Sequence, residues 1–102
     1  MQLIYVAGRF RSDTHYQIHL NIIHAEARAL DLWKQGWAVI CPHLNTQNFQ
    51  GECADDVWLN GCLEIVKRCD AIYMLKGWEL SEGSKEELKL AQELGLEVYY
   101  EP

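Results

Sequence analysis

Apolar residues occur along this chain in two alternating patterns, short continuous runs and longer segments with a helical period. The first run is nearly unbroken and rich in β-branched and aromatic side chains, which is typical of a strand buried on both faces of a parallel sheet. All four runs are predicted to be strands. They span residues 2–8, 37–41, 70–75 and 96–100. Between them, apolar spacings of three and four predict three helices. These run from residue 13 or 14 to about 35, from 55 or 56 to about 68, and from about 84 to 94.

Strands that alternate with helices predict right-handed crossovers and therefore an all-parallel sheet. We expect one α/β domain over residues 1–102, a flavodoxin-like (Rossmann-like) three-layer sandwich of four parallel strands in the order 2-1-3-4. That order places a switch point between strands 1 and 3, where open α/β sheets bind their ligands. The polar segment between strand 2 and the second helix is predicted to be a loop.

Composition and charge narrow the class of protein. A chain of 102 residues with 49% hydrophobic and 24% charged residues is typical of an ordinary soluble domain with one core. It has no apolar run of membrane-spanning length and no signal-peptide pattern, so we expect no membrane partner and a cytoplasmic location. The formal charge of −6 argues against binding to a nucleic-acid polymer. A small phosphate or sugar ligand remains compatible with it.

The four cysteines, at positions 41, 53, 62 and 69, form no CxxC pair. Their spacings, even with His43 added, match no common zinc module. We therefore expect reduced and mostly buried thiols, no metal site and no cofactor.

Glu87 is the charged residue whose predicted position is unusual. Spacings of three, four and seven place it on the inner face of the last helix with Leu90, Ala91 and Leu94. Two interpretations stay open. Ser84 and Glu87 have the spacing of a capping box, in which Glu87 reaches back to the first turn. Alternatively, Glu87 is a reactive carboxylate at the ligand-binding edge of the sheet. The two roles are compatible with each other.

Three loops are predicted to meet at that edge and to form one crevice. Gly8 leaves room for a ligand to approach the backbone, and Arg11 offers a bidentate fork to a phosphate or carboxylate. Ser81 and Gly83, near a helix N-terminus, suit an anion. The loop after strand 2 joins from the side. We expect a phosphorylated or hydroxylated small molecule to bind there.

Tyr5 lies near the end of the first strand, within predicted reach of Glu87. Burial raises the pKa of a carboxyl group, and a hydrogen bond from a tyrosine lowers it. We expect the pair to hold Glu87 ionised and oriented. Such a carboxylate can attack or stabilise the oxocarbenium-like carbon that forms when a sugar loses its leaving group. A core tyrosine with a satisfied hydroxyl is the alternative for Tyr5.

The ordered set of motifs resembles the nucleoside 2-deoxyribosyltransferase-like superfamily, and within it the small DUF4406-type proteins. It is also similar to the nucleoside 5′-monophosphate N-glycosidases. The resemblance covers nearly the whole chain and rests on residues 4–8, Arg11, 40–46, 63–64, 69–71 and 81–87.

The resemblance implies that Glu87 is the catalytic residue for cleavage or transfer at an N-glycosidic bond and that Tyr5 orients it. Gly8, Arg11 and Ser81 match the residues that hold a 5′-phosphate, which implies a 5′-phosphorylated nucleoside as substrate. The remaining residues assigned to substrate binding are Gly83 for the sugar or phosphate end, and His43 and Asn45 for the base.

Cys62 departs from the superfamily pattern, because relatives usually carry an aspartate there that contacts sugar or base. A thiol is a poor hydrogen-bond acceptor, so a non-catalytic nucleotide-binding or sensing module is the alternative to an enzyme. The resemblance also implies a homodimer or a larger homo-oligomer. Two interpretations stay open for the tryptophans, an exposed interface and packing in the core; these are Trp33, Trp37, Trp58 and Trp78.

Overall fold

The structure is a computed structural model that describes all 102 residues. It contains four strands separated by helical segments, with four α-helices in all and a 3₁₀ turn at Trp78–Leu80 before the last helix. In chain order the elements are β1 (Leu3–Ala7), α1 (His15–Lys34), β2 (Ala38–Ile40), α2 (Pro42–Asn45), α3 (Asp55–Val66), β3 (Ala71–Met74), α4 (Glu82–Leu94) and β4 (Glu97–Tyr100).

The four strands form one parallel sheet in the order β2-β1-β3-β4. Strand β1 lies in the middle of it, and Tyr5 is in register with Ile40 of β2 on one side and Ile72 of β3 on the other. The predicted α/β class and the strand order 2-1-3-4 are both confirmed. The carboxyl ends of β1 and β3 therefore lie next to each other, with helices leaving from both.

The helices cover the two faces of the sheet and make a three-layer sandwich. Successive side chains of a strand point to opposite faces, so β1 serves both layers. Ile4 and Val6 pack with Ala25 and Ala29 of α1. Tyr5, with Ala7 alongside, packs on the other face with side chains of α3 and α4. The alternation of β1 thus turns Tyr5 towards the layer that contains Glu87.

Helix α1 begins at the N-cap Thr14, whose side chain accepts a hydrogen bond from the backbone N–H of Gln17, as expected for a threonine at that position. Its buried face consists of Ala25, Ala29 and Leu32. Trp33, four residues after Ala29, is 54% exposed and does not belong to this face. The apolar residues of α1 are numerous enough to occupy two faces, and only one of them contacts the sheet.

Helix α4 begins at Glu82, two residues earlier than predicted, and its N-cap is Ser81. The predicted capping box of Ser84 and Glu87 is therefore wrong. Glu87 lies on the inner face as expected, but its neighbours there include Leu88, whereas Leu94 is 51% exposed. Gly95 ends the helix with φ of 75°, a left-handed conformation that glycine adopts without strain.

The segment predicted as a polar loop after β2 contains the short helix α2. Pro42 begins it, and its fixed φ suits the first helical position. None of the four helices combines the length and the apolar character that crossing a lipid bilayer requires.

Candidate functional site

A cavity of about 580 Å³ opens at the carboxyl edge of the sheet, bounded by the β1–α1 loop, α3 and the N-terminus of α4. It brings together eight of the nine residues predicted to act on a ligand. These are Tyr5, Gly8, Arg11, His43, Cys62, Ser81, Gly83 and Glu87. The ninth, Asn45, is exposed at the end of α2 and is not part of the wall.

Glu87 and Tyr5 meet in a buried part of the cavity wall. Tyr5 is fully buried in the central strand, and Glu87 is 8% exposed in the second turn of α4. The Tyr5 hydroxyl donates a hydrogen bond to Oε2 of Glu87. A residue of β1 and a residue of α4, 82 positions apart, thus meet where the switch point of the sheet leaves an opening.

Burial and the tyrosine act on Glu87 in opposite directions. Burial raises the pKa of the carboxyl group, the Tyr5 hydrogen bond lowers it, and the nearby charge of Glu86 raises it, with a net result of about 7. Burial prevails, so Glu87 is only partly ionised near neutral pH, and the role of Tyr5 in holding it ionised stays a prediction. Burial, with the charge of Glu87, also raises the pKa of Tyr5, which keeps its hydroxyl a donor.

Cys62 lies beside this pair. It is half-buried in α3, lines the cavity and interacts with the Tyr5 hydroxyl. Burial raises the pKa of the thiol, the hydrogen bond with Tyr5 lowers it, and the charge of Glu87 raises it, with a net rise. The thiol is therefore protonated at neutral pH, and no negative charge stands at this position.

The N-terminus of α4 forms the rim of the cavity. The Ser81 side chain accepts a hydrogen bond from the backbone N–H of Ser84, at 3.1 Å between Oγ and N. Ser84 is 2% exposed and lines the cavity. Gly83 has room for a side chain, since an added Cβ would lie 3.7 Å from Leu59. The unpaired N–H groups of the first turn suit an anion.

Packing against Leu75 requires a glycine at position 8. A Cβ at this position would lie 2.6 Å from Cδ1 and 2.7 Å from Cβ of Leu75, closer than such atoms can come. The backbone of Gly8 lines the cavity, and a role in ligand approach stays a prediction.

Two arginines from the β1–α1 loop reach the cavity. Arg11 forms an ion pair with Asp55 at the start of α3, at 2.7 Å between Nη2 and Oδ1. A phosphate that binds Arg11 must therefore compete with this carboxylate. Arg9 also lines the cavity, and its Nε donates to the Arg11 carbonyl at 3.1 Å. Arg9 was not singled out from the sequence, although its place next to Gly8 is a usable signal.

His43 is 5% exposed and supports the wall of the cavity. Its Nε2 donates to the backbone carbonyl of Arg9 at 3.0 Å, and its Nδ1 is buried without a partner. Burial lowers the pKa of His43, only partly offset by the Arg9 carbonyl, so the ring is neutral at physiological pH. His43 ties α2 to the loop that carries both arginines.

No three His, Cys, Asp or Glu side chains converge in a way that would hold a metal ion. All four cysteines are free thiols. The chemistry available in the cavity is therefore that of an oriented carboxyl group, a tyrosine hydroxyl, a thiol and two arginines. A carboxyl group with a pKa near neutrality can act as a nucleophile or electrostatic stabiliser when ionised, and as an acid when protonated.

The fold of this chain is similar to that of a solved protein structure. The solved structure of a 2-deoxyribosyltransferase from Leishmania mexicana superimposes with a TM-score of 0.70 at 18% sequence identity. The match covers 98% of this chain and 63% of that one, so the chain corresponds to less than two thirds of the length of that structure. No curated protein matches the sequence.

The sequence itself matches one family model, the domain of unknown function DUF4406, over residues 2–100. Both the predicted family and the likeness to deoxyribosyltransferase folds are confirmed by these matches. The chain belongs to the DUF4406 family.

Proposed function

We propose that this protein cleaves or transfers the N-glycosidic bond of a small nucleoside or nucleotide, with Glu87 as the catalytic residue. The observation that carries the proposal is a carboxyl group 8% exposed in a ligand-sized cavity, hydrogen-bonded by a fully buried tyrosine. Support for the substrate class comes from the fold shared with a 2-deoxyribosyltransferase.

In the proposed reaction the ionised Glu87 carboxylate faces C1′ of the sugar. The C1′–N bond breaks with its electron pair passing to the base nitrogen, which takes a proton from solvent. The carboxylate either forms a bond to C1′ or stabilises its positive charge. Water or a second base then attacks C1′ and releases Glu87, which gives hydrolysis or transfer. Tyr5 keeps the carboxylate oriented throughout.

We also propose that the substrate carries a 5′-phosphate. The first turn of α4 presents backbone N–H groups to the cavity, and Arg9 and Arg11 lie across from it on the β1–α1 loop. Both the backbone N–H groups and the arginine side chains favour binding of a doubly charged phosphate. Asp55 opposes it by pairing with Arg11, so the ligand must displace that carboxylate.

Chromatographic detection of free base from a panel of nucleosides and 5′-monophosphates tests the reaction. We expect base release, and a decrease of about a thousandfold or more in Glu87→Gln, because that change removes the charge while keeping the shape. Glu93→Gln is the matched control, since Glu93 is exposed on the same helix. Tight binding without any base release would contradict catalysis and indicate the non-catalytic nucleotide-binding module.

The phosphate preference has its own test in Ser81→Asp. Aspartate is also a good N-cap, so α4 should be preserved while a negative charge is placed at the cavity rim. We expect kcat/KM for monophosphates to fall at least tenfold and kcat/KM for nucleosides to be retained. Equal effects on both substrate classes would contradict a phosphate site at this position.

We keep the cytoplasmic location as a proposal. Four unpaired thiols, one of them the exposed Cys53, suit a reducing compartment.

A further inference from the structure

A second groove lies on the surface between α1 and the segment that links α2 to α3. Its volume is about 410 Å³. One side is formed by the N-terminal half of α1, and the other by the polar segment 47–50. The residues that line the groove are His15, Ile18, His19, Ile22, Gln47, Asn48 and Gln50. No residue of α1 lines the cavity described above, so the groove is a separate feature of the surface.

His15 and His19 are four residues apart in α1. Side chains at this spacing lie on the same face of a helix, with about 5 to 6 Å between their Cβ atoms. Two histidines placed in this way can bind one transition-metal ion, as they do in helical zinc motifs. Both histidines line the same groove. Their spacing and their location therefore favour the same kind of ligand.

The imidazole rings of His15 and His19 are free to bind it. The other two histidines of the chain, His24 and His43, each hydrogen-bond to another part of the fold. His15 and His19 are exposed and form no hydrogen bond or ion pair with the chain. Neither ring belongs to the core or to the cavity wall. A neutral imidazole nitrogen is a common ligand of Zn²⁺, Cu²⁺ and Ni²⁺.

The opposite side of the groove supplies oxygen donors. Gln47, Asn48 and Gln50 carry side-chain amides, whose carbonyl oxygens can coordinate an ion or accept a hydrogen bond from its bound water. No carboxylate lines the groove, and Mg²⁺ and Ca²⁺ bind mainly through carboxylates and other oxygen ligands. Two imidazoles completed by amide oxygens and water therefore favour a transition-metal ion in an open site.

We propose that His15 and His19 bind a divalent transition-metal ion such as Zn²⁺, and that the ion ties the segment 47–50 to α1. Gln50 lines both this groove and the cavity. An ion held by the two histidines and by an amide of this segment would fix part of the cavity wall. The expectation of no metal site rests on the cysteines and His43, and this pair of histidines lies outside it.

Two electrostatic effects act on a cation in the groove. His15 is the first residue of α1, and the positive end of the helix dipole weakens the binding of a cation by up to about fivefold at an exposed site. The formal charge of −6 attracts cations to the molecule. Both effects are smaller than that of a direct ligand. We expect a dissociation constant in the micromolar range, weaker than that of a closed zinc site with four protein ligands.

Isothermal titration calorimetry of the full chain with Zn²⁺ tests the site. His15→Ala and His19→Ala should each weaken binding at least about tenfold, because each removes a direct ligand, and even the loss of an outer-shell partner costs that much. The matched control is the exchange Gln17→His with His19→Gln. It keeps the composition and all four thiols but places the histidines two residues apart, where they do not face each other. It should weaken binding as much as the single changes.

Amide hydrogen exchange tests the link to the cavity wall. Zn²⁺ should slow the exchange of residues 47–50 in the native protein and leave it unchanged in the exchange variant. An excess of Mg²⁺ should not displace Zn²⁺. Circular dichroism confirms that each variant is folded.

A native protein that binds no Zn²⁺, or an exchange variant that binds it as tightly as the native protein, overturns the metal site. Zn²⁺ binding without slower exchange at residues 47–50 overturns the link to the cavity wall. Neither measurement uses a nucleoside, so the outcome does not depend on the proposed function.

Discussion

Glu87 is held by two influences of opposite sign, and their balance determines the protonation of the proposed catalytic group. Burial raises its pKa from 4.5 to about 7 in spite of the hydrogen bond from Tyr5. The carboxyl group is therefore protonated in the folded protein at a pH where it is ionised in the unfolded chain. Ionising the buried Glu87 carboxyl group lowers the free energy of unfolding, so the stability of the protein depends on pH.

For Glu87→Gln we predict higher stability than the native protein at pH 8. Because the folded pKa lies above the unfolded one, native stability is greatest below pH 4.5 and falls as the pH rises to about 7. The full difference is about 3 kcal/mol. Glutamine is neutral at every pH and avoids this loss. Urea unfolding at pH 5 and pH 8 measures the difference in the free energy of unfolding between the variant and the native protein.

In that measurement Glu93→Gln should behave like the native protein, since its side chain is exposed. A Glu87→Gln variant whose advantage over the native protein is equal at both pH values would contradict the raised pKa.

Tyr5→Phe should shift the pH dependence of catalysis. Loss of the hydroxyl removes the one contact that lowers the pKa of Glu87. The ionised form is the proposed active one, so kcat/KM should rise with pH through about 7 in the native protein. In the variant we expect that midpoint to move about one to two pH units higher. Base release measured from pH 5 to pH 9 gives both profiles, and an unshifted midpoint would contradict the role of Tyr5.

Contacts between individual side chains could be predicted from the sequence only where the order of strands and helices brings the two residues to the same layer. Tyr5 and Glu87 could be paired because strand alternation and helix spacing both turn them towards the same layer. Two overlapping patterns, beginning at Ser81 and at Ser84, both fit a helix cap, so the true start of α4 required the structure. The contact of Arg11 with Asp55 joins a loop to a distant helix, and no local pattern specifies it.

Among the elements, α4 combines two roles at its N-terminus. Ser81 caps the helix through the backbone N–H of Ser84, and the same turn forms the rim of the cavity. A change at Ser81 should therefore affect both stability and binding. The N-cap of α1 offers a comparison, since Thr14 accepts a similar bond from Gln17 at 3.1 Å and lies outside the cavity wall.

We predict that Ser81→Ala and Thr14→Ala each destabilise the fold by about 1 kcal/mol, the usual effect of losing a cap. Only Ser81→Ala should also raise KM for a 5′-phosphorylated substrate, by about tenfold, because it removes a hydroxyl from the rim. Thermal unfolding and steady-state kinetics separate the two effects. Equal KM values in both variants would contradict a role for Ser81 in binding.

Helix α1 shows why element positions are easier to predict than element faces. Its length and its cap follow from the sequence, because apolar spacing continues to Lys34 and Thr14 precedes the first turn. Its apolar residues form more than one face, however, and spacing alone cannot tell which face meets the sheet. Only the packing of Ala25 and Ala29 against β1 identifies it.

On the scale of the whole molecule, Glu101 connects elements from distant parts of the chain. Its carboxylate accepts hydrogen bonds from the backbone N–H of Lys76, after β3, and from Nε2 of His24 in α1, both at 2.8 Å. Its side chain is 9% exposed. Burial alone would raise the pKa of Glu101, but the Lys76 N–H, His24 and Arg28 hold it below its ordinary value.

Glu101→Gln should lower the free energy of unfolding by about 1 to 2 kcal/mol at pH 7. Because the folded pKa lies below the unfolded one, the stabilisation is present above pH 4.5 and is lost as the pH falls further. The difference between variant and native protein should therefore shrink at pH 3.5. Urea unfolding at both pH values measures it, and Glu97→Gln, exposed on β4, should stay within about 0.5 kcal/mol of the native protein at each.

Topology was the most predictable property of the molecule. Four strands separated by helical segments, together with the fixed hand of the crossovers, leave few alternatives to the observed sheet. The hydrogen bonds of Glu101 were not predictable, because they depend on how the end of β4 meets α1 in three dimensions. The same limit applies to the contact between Gly8 and Leu75.

Cys62 makes the cavity accessible to covalent probes. Its thiol lies beside Tyr5 and Glu87 and is half-buried, while Cys41 and Cys69 are buried in the core. A protonated thiol reacts slowly with small reagents in solution. A cavity-sized ligand that carries a mild electrophile would, once bound, hold that group against the sulfur long enough to react. Covalent labels for the cavity can therefore be selected by their fit to it and not by their intrinsic reactivity, and the exposed Cys53, outside the cavity wall, reports unselective labelling.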